Sequence, residues 1–561
     1  MTHIVSYSPQ KNYKQREMNI RNAIIVIIAL ALVNLLVHHF VVRWDMTNDK
    51  RYSISQPTKN LLKNLDQPLE ISILLDGELN AGFTRLKKAT SEMAEELGVY
   101  AGGGYRISDS NKQAADIGTQ LQPVVIHERT HKGQTAQTTI FPYALVKYDN
   151  RTQIVHLLKN QRGLSGEENL NNSIENLEYA FAEAIRHLTQ TEVEKIAFLE
   201  GHGELEEQYV YDLTQALAQY YQVDRGVLGK ESGVLDGYKA IIIADPQQPF
   251  SESDKYILDQ YVMQGGRILW VVNGVRFSED FLSSQGATPI IALELNINDL
   301  LFRYGIRINH ALVQDLQCMP VPVDVSSNTS EPNWQPMPWT YAPLLLTSQT
   351  SPITRNVAQV SATMASAVDI VGGEDGLRKE VLLATSTASK LTTVPARVDL
   401  SLGVENEQSF QYAFIPVAVS IEGSFPSLYA FQLPPEEIAP HAPLIKQSEV
   451  TKQIVVASGS IIRNEWQNGT PLPLGYDRYT QRQFGNRDFM VNAVLYLTDD
   501  QGWMQLRQKE FTLRLINDQR AQQMRIIAQI VSIFIPLAIL ALIGGFVIIA
   551  RQRLYIKKLI R

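Results

Sequence analysis

The chain has 561 residues, 45% hydrophobic and 19% charged, with a formal net charge of -7 and a single cysteine, Cys318. One cysteine excludes an internal disulfide, so any folded region stands on packing alone. An acidic balance with no basic stripe excludes the electrostatic footprint that phosphate backbones need, so no nucleic-acid partner is expected.

Two long apolar runs, Ala23 to Val42 and Ile526 to Ala550, bracket almost the whole chain. At about 1.5 Å per helical residue each reaches the roughly 30 Å of a bilayer core, so both are predicted to span a membrane. Lys11, Lys14, Arg16 and Arg21 precede the first, and Arg551, Arg553, Lys557, Lys558 and Arg561 follow the second. Positive residues favour the cytoplasm. With +3 on residues 1–21 and +5 on 551–561, the formal -7 leaves -15 for residues 22–550, an acidic middle expected on the far side of the membrane. Ala29-Leu30-Ala31 has the form of a signal-peptide cleavage site, but it lies mid-run, which favours an uncleaved anchor.

The predicted organisation is a cytoplasmic tail over 1–21, a membrane helix over 22–42, a small α/β domain over 43–165 and a larger α/β domain over 166–505. A juxtamembrane helix over 506–525, a second membrane helix over 526–550 and a cytoplasmic tail over 551–561 follow. Ser55 and Pro57 open a short amphipathic helix, after which strand-like and helical runs alternate. Leu170 to Leu188 reads as one long helix leading into the larger domain. There Lys195–Leu199, Lys239–Ala244 and Arg267–Val272 are apolar strand-like runs, separated by helical patterns at Leu205–Tyr220 and Ser253–Met263, with Ser251 as the candidate cap of the second. That alternation predicts a doubly wound parallel sheet with helices on both faces.

From Gln317 to Pro352, Pro320, Pro322, Pro336, Pro338, Trp334 and Trp339 accumulate, and regular structure is expected to lapse into a surface excursion. Further strand-like runs return after Glu380, giving a β-rich C-terminal part. Asn486–Leu497 reads as a helix, and the pattern from Gln505 to Arg525 runs unbroken towards the second membrane helix.

Signatures of chemistry are few. Gly229-Lys230 is followed by Glu231 rather than Ser or Thr, so no phosphate-binding loop exists, and no zinc, serine-hydrolase or paired-cysteine motif occurs. No catalytic residue, metal or cofactor is expected. The candidate ligand crevice lies at the C-terminal strand ends, the edge where such sheets bind ligands. Glu200, His202 and Glu204 surround two glycines after one strand, while Asp245-Pro246 and Asn273-Gly274 end the next two. Two readings of the first loop stand. Its polar residues contact a ligand, or the glycines make the turn, Glu204 favours the next helix's N-terminus and His202 is a structural hydrogen bonder, the loss of one surface hydrogen bond costing about 0.5–1.5 kcal/mol. Trp334 and Trp339 form a candidate partner surface for an envelope protein or glycan, set against packing on their own domain.

The chain resembles the GldG family, gliding-motility-associated components of an ABC transporter. The resemblance runs through Asp49-Lys50-Arg51-Tyr52-Ser53, Gly82-Phe83-Thr84-Arg85-Leu86, Ala197 to Glu204, Leu258 to Gly266, Leu312 to Cys318, Pro338-Trp339, Arg463-Asn464, Gly485 to Phe489 and the C-terminal helix. It implies a non-ATPase subunit of the inner membrane with a large periplasmic region, working with a GldF-like permease and a GldA-like ATPase. It also implies a central domain shared with intraflagellar-transport proteins and similar in fold to class I glutamine amidotransferases without their catalytic cysteine. The remaining alternative is an envelope hydrolase or transferase using the crevice around His202 and Asp245.

Overall fold

The computed structural model describes residues 54–77, 79–109, 121, 123–129, 135–159, 165–189, 193–231, 233–324, 333–372, 376–400, 407–436, 438, 443–508 and 518–559, together with Ile24, Ile25 and Ile28. Apart from these three residues, the first predicted membrane helix lies outside that set. Residues up to Lys509 make one compact unit and residues from Glu510 a second.

The first unit opens with the helix Gln56–Lys63, where Ser55 accepts the Thr58 N–H and Pro57 stands in the first turn. A four-stranded sheet follows, in spatial order Tyr105–Asp109, Leu69–Ile73, Tyr143–Tyr148, Arg151–His156; its first pair is parallel and the rest antiparallel. Leu69, Ile71 and Ile73 alternate into one core face. The helix predicted over Leu170–Leu188 is two helices, Gly166–Glu175 and Leu177–Thr189, broken at Asn176. The second serves two cores: Leu177, Phe181, Ile185 and Leu188 pack on the small sheet, while Tyr179 and Ala182 pack on the large one.

The large sheet contains five neighbouring parallel strands in spatial order Gln222–Val227, Lys195–Glu200, Tyr238–Ala244, Ile268–Val271, Gln447–Val456. Numbered along the chain, this is the order 2-1-3-4-5, with a reversal between the first and third strands. Alternation assigns the two faces. Ile196, Phe198, Ile242, Leu269, Val271 and Ile454 meet the helices Tyr211–Leu217 and Asn486–Thr498, while Leu199, Ile241, Ile243, Ile268, Trp270 and Val455 meet Glu252–Met263 and Asn298–Arg303. The parallel core therefore has helices on both faces. The later β-rich sequence joins the same sheet: Pro416–Pro426, Arg378–Ala384, Trp334–Thr347 and Cys318–Asp324 extend it antiparallel beyond the fifth strand.

The last two of these strands correct the expected lapse at Gln317–Pro352. Pro320 pairs with Pro338 and Pro322 with Pro336. In an antiparallel ladder every second pair exchanges no hydrogen bonds, and prolines confined to those pairs cost the ladder nothing. Their missing N–H groups face outward, which blunts both edges of the ribbon against strand addition.

At the C-terminus the helix predicted from Gln505 starts later. Residues Trp503–Gln508 form a 3-10 helix, 509–517 lie outside the described residues, and the α-helix runs Asp518–Leu559. Within it, Ile530–Ala550 is the one stretch among the described residues long and apolar enough to cross a bilayer. Pro536 lies inside without ending the helix.

Candidate functional site

The C-terminal edge of the parallel strands carries the predicted residues, and the structure sorts them into three groups. Gly201 and Gly203 have φ of +113° and +73°, left-handed values that β-branched residues resist, so the chain reverses sharply after the first strand. This turn buries His202 to 7% exposure. Its ring stacks on Phe250 at 3.8 Å between centroids. Its Nδ1 meets Glu204 Oε1 at 3.1 Å and its Nε2 meets Asp254 Oδ2 at 3.2 Å. Its backbone N–H also donates to Glu204 Oε2 at 2.6 Å, and its carbonyl accepts the N–H groups of Gln247 and Gln248.

Burial opposes the charge on His202, but hydrogen bonds to Asp254 and Glu204, with their negative charge, raise its pKa to about 9. A raised pKa favours the imidazolium, in which both ring nitrogens donate, one to each carboxylate. His202 is a buried hydrogen bonder at the centre of an ion triad, so its loss is expected to cost more than that of a surface hydrogen bond. Asp254 also belongs to the capping box that Ser251 builds at the start of Glu252–Met263. The triad thus fixes the loop after one strand to the helix after another.

Glu200 stands apart. It faces the neighbouring edge strand, where Arg225 Nε donates to it at 2.7 Å and Arg225 Nη2 donates to the Leu205 carbonyl.

Asp245 and Asn273 are brought together. Asn273 Nδ2 donates to Asp245 Oδ1 at 2.7 Å, and Asn273 Oδ1 accepts the Gly459 N–H at 3.0 Å. Gly459 follows the fifth parallel strand, so this node ties three adjacent strand ends. Asp245 has φ of +56°, unusual for a residue with a side chain. A Cβ on Gly459 would stand 2.1 Å from Asp245 Cγ, so only glycine fits beneath the carboxyl. Burial, with Glu279 adding to it and Arg463 opposing, pushes the Asp245 carboxyl up to about 7.

Beside this node opens a cleft of about 670 Å³, lined in part by Tyr209, Glu279, Thr363, Arg463, Trp466 and Arg478. Arg463 bonds Glu279 at 2.8 Å and lies over the Tyr209 ring; Arg478 approaches Glu465 at 3.5 Å. The wall is amphoteric and partly aromatic, suited to a polar ligand or an extended chain carrying both donors and acceptors. Sequence reasoning missed Arg463, Arg478 and Asp254. The only signal was the resemblance carried by Arg463-Asn464.

The two tryptophans separate. Trp339 is 8% exposed, packs with Val275, Ile290 and Leu312, and donates its indole N–H to the Asp399 carbonyl. Trp334, at the far end of the ribbon, is 61% exposed. Trp339 is spent on its own core and offers no surface, so of the expected pair only Trp334 is exposed.

Among the described residues no group of three or more His, Cys, Asp or Glu is placed to hold a metal. Comparison with known proteins adds four findings. No curated protein matches the chain. A solved structure of the mmIFT52 N-terminal domain is similar at 16% identity and a TM-score of 0.32, over 55% of this chain and 98% of that one, a likeness that carries no argument. A model of a domain of unknown function matches residues 48–147. The model described as an ABC-type uncharacterized transport system matches residues 194–493, spanning the parallel core, the node and the cleft, and the chain belongs to that family, as an auxiliary component of an ABC-type system.

Proposed function

We propose that the chain is the membrane-anchored, non-hydrolysing module of its transport system, with residues 43–505 outside the cytoplasm, engaging a partner or ligand at the C-terminal edge of its sheet. The observation that carries this reading is the pairing of an α/β body of transport-system type with one exposed apolar helix, Ile530–Ala550. The absent phosphate loop supports a division of labour in which an ATPase subunit supplies the energy. The permease and ATPase partners would be of GldF and GldA type, the membrane the inner one, both termini cytoplasmic, and the cellular role gliding or surface assembly. Energy would be transmitted if nucleotide turnover moved the membrane helices and the outer partner bound two orientations of the body unequally.

Purification from membranes tests this reading. The chain should copurify with a permease and an ATPase, the isolated chain should bind no ATP, and protease added from outside should cut after Gly286. Stoichiometric ATP binding by the isolated chain, or cytoplasmic exposure of Gly286, would overturn it. The hydrolase alternative has one observation in its favour, the raised Asp245 carboxyl beside an open cleft. Against it, His202 is held between two carboxylates and is not available as a base.

A further inference from the structure

The opposite edge of the parallel sheet carries a second charged constellation, which neither the family match nor the cleft accounts for. Helix Asn486–Thr498 buries Phe489, Met490, Ala493, Val494 and Leu497 completely against the sheet. Its C-terminal end then meets three cations from three neighbouring strands. Lys452 donates to the Tyr496 and Asp499 carbonyls at 3.1 and 2.6 Å and lies over the Tyr496 ring. Lys239 and Arg267, at the starts of the two adjoining strands, both pair with the Asp500 carboxylate. Cations complement the negative end of a helix, so the geometry is favourable as well as dense.

The next residues are locked too. The Asp499 carboxylate accepts the N–H groups of Gln501, Gly502 and Met504 at 3.1, 2.9 and 2.8 Å, which folds the chain into a tight turn. Trp503 and Met504 are then buried in the large core, where the Tyr179 hydroxyl meets the Met504 sulfur at 3.7 Å. Tyr179 belongs to the helix that also serves the small N-terminal core. Segment 496–504 is therefore fastened to three parallel strands and to the helix joining the two cores. Nine residues, 509–517, separate Gln508 from the helix Asp518–Leu559 that contains the apolar span.

We infer that residues 496–504 form the point at which movement of the membrane helix enters the body, with Asp500 as the positioning residue that holds this segment to the starts of two parallel strands. The inference rests on the mechanical part of the proposed function and adds the place and the residue through which it acts. A displacement entering at residues 496–504 reaches three strands and the shared helix at once. A connection through one exposed turn would be absorbed by local unfolding instead.

Hydrogen exchange on the full chain in detergent or nanodiscs, read beside the cellular phenotype that deletion of the chain produces, tests this. Asp500→Asn should raise amide exchange in 501–508 at least tenfold while leaving the central strands protected, and should reproduce the deletion phenotype. Asp500→Glu should restore both. A glycine–serine insertion after Phe511 serves as the reference for mechanical coupling. If Asp500→Asn leaves exchange and phenotype unchanged while the insertion abolishes function, Asp500 is not the entry point and the mechanical reading survives. If function survives the insertion, the mechanical reading fails and this inference fails with it. If Asp500→Asn loosens 501–508 but function persists where the insertion destroys it, the attachment is structural only and the inference is overturned.

Discussion

At the C-terminal edge of the five parallel strands the chain turns through left-handed positions, Gly201, Gly203 and Asp245, and leaves an open, amphoteric cleft beside them. At the N-terminal edge Lys239, Arg267 and Lys452 close on a single helix end and leave no comparable opening among the described residues. One sheet thus presents two kinds of polar edge. The first places a non-glycine residue, Asp245, in a left-handed position that costs conformational energy, the arrangement expected where something must be bound. The second also turns through left-handed positions, Gly237, Gly265 and Gly502, but all three are glycines, and it adds multiple cations, the arrangement expected where something must be held. Both draw on the same hydrophobic layers, so substitutions can test the edges separately.

The largest effect should come from His202→Ala. Removing the imidazolium leaves Glu204, whose side chain is 1% exposed, and Asp254 facing each other without a cation. Breaking a buried charge pair from one side costs about 3–5 kcal/mol, well above the surface-residue expectation. Urea denaturation measures it. A loss below about 1 kcal/mol would show that this edge is soft and that the loop is free to rearrange.

The two edges should also respond oppositely to pH. His202 has a folded pKa of about 9 against 6.5 unfolded, so its stabilisation is fully present below pH 6.5 and is lost as pH rises through 9. The upper bound is about 3 kcal/mol. Asp245, raised to about 7 from 3.8, has the same sign: folding is favoured most below pH 3.8, and that advantage is lost as pH rises through 7. For Asp500, burial raises the pKa but the hydrogen bonds and charges of Lys239 and Arg267 outweigh it and lower it overall. Its contribution is therefore present above pH 3.8 and disappears as pH falls through its folded value. Unfolding free energy measured from pH 3 to 10 should lose its alkaline slope in His202→Ala and only part of its acid slope in Asp500→Asn. A single shared slope abolished by either substitution would dissolve the distinction between the edges.

A smaller effect is expected at the node. Gly459→Ala places a methyl group 2.1 Å from Asp245 Cγ, and overpacking of this kind costs about 1–3 kcal/mol. Combining it with Asp245→Gly should recover most of the loss, because the two residues share one contact and their effects will not add. Additive losses in the double-mutant cycle would mean that the Gly459 backbone, rather than the carboxyl above it, sets the requirement.

How much of this was legible in the sequence follows from the range of each signal. Strand-end loops could be placed because hydrophobic alternation and glycine act locally: Lys195 to Glu204 already spells a strand and a turn. The partners of those loops could not. Asp254 lies 52 residues beyond His202, and the cleft wall around Arg463 and Arg478 comes from sequence 190 residues or more downstream of the strand-end loops. Proline misled for a different reason. Pro320, Pro322, Pro336 and Pro338 read as breakers one at a time, and their compatibility with a ladder depends on a cross-strand register that no single strand reveals. Trp339 and Trp334 are chemically alike and only five positions apart, yet the ribbon buries one in the core and leaves the other exposed.

The smallest predicted effect is the sharpest test of the open edge. Arg478 is 41% exposed in its side chain, its partner Glu465 is 51% exposed, and the two approach only to 3.5 Å. Solvent screens such a pair, so Arg478→Ala should change unfolding free energy by no more than about 0.5 kcal/mol. Trp466 and Tyr476, which line the same cleft, should keep their fluorescence, because no core contact depends on the guanidinium. The other contacts of Arg478, a hydrogen bond and a stacking contact to exposed Tyr479, are equally solvent-screened, so on the proposed function the variant should fold like the parent while losing function in cells. A stability loss above about 1 kcal/mol would show instead that the cleft wall is a structural brace. The two edges of the sheet would then differ in shape but not in purpose.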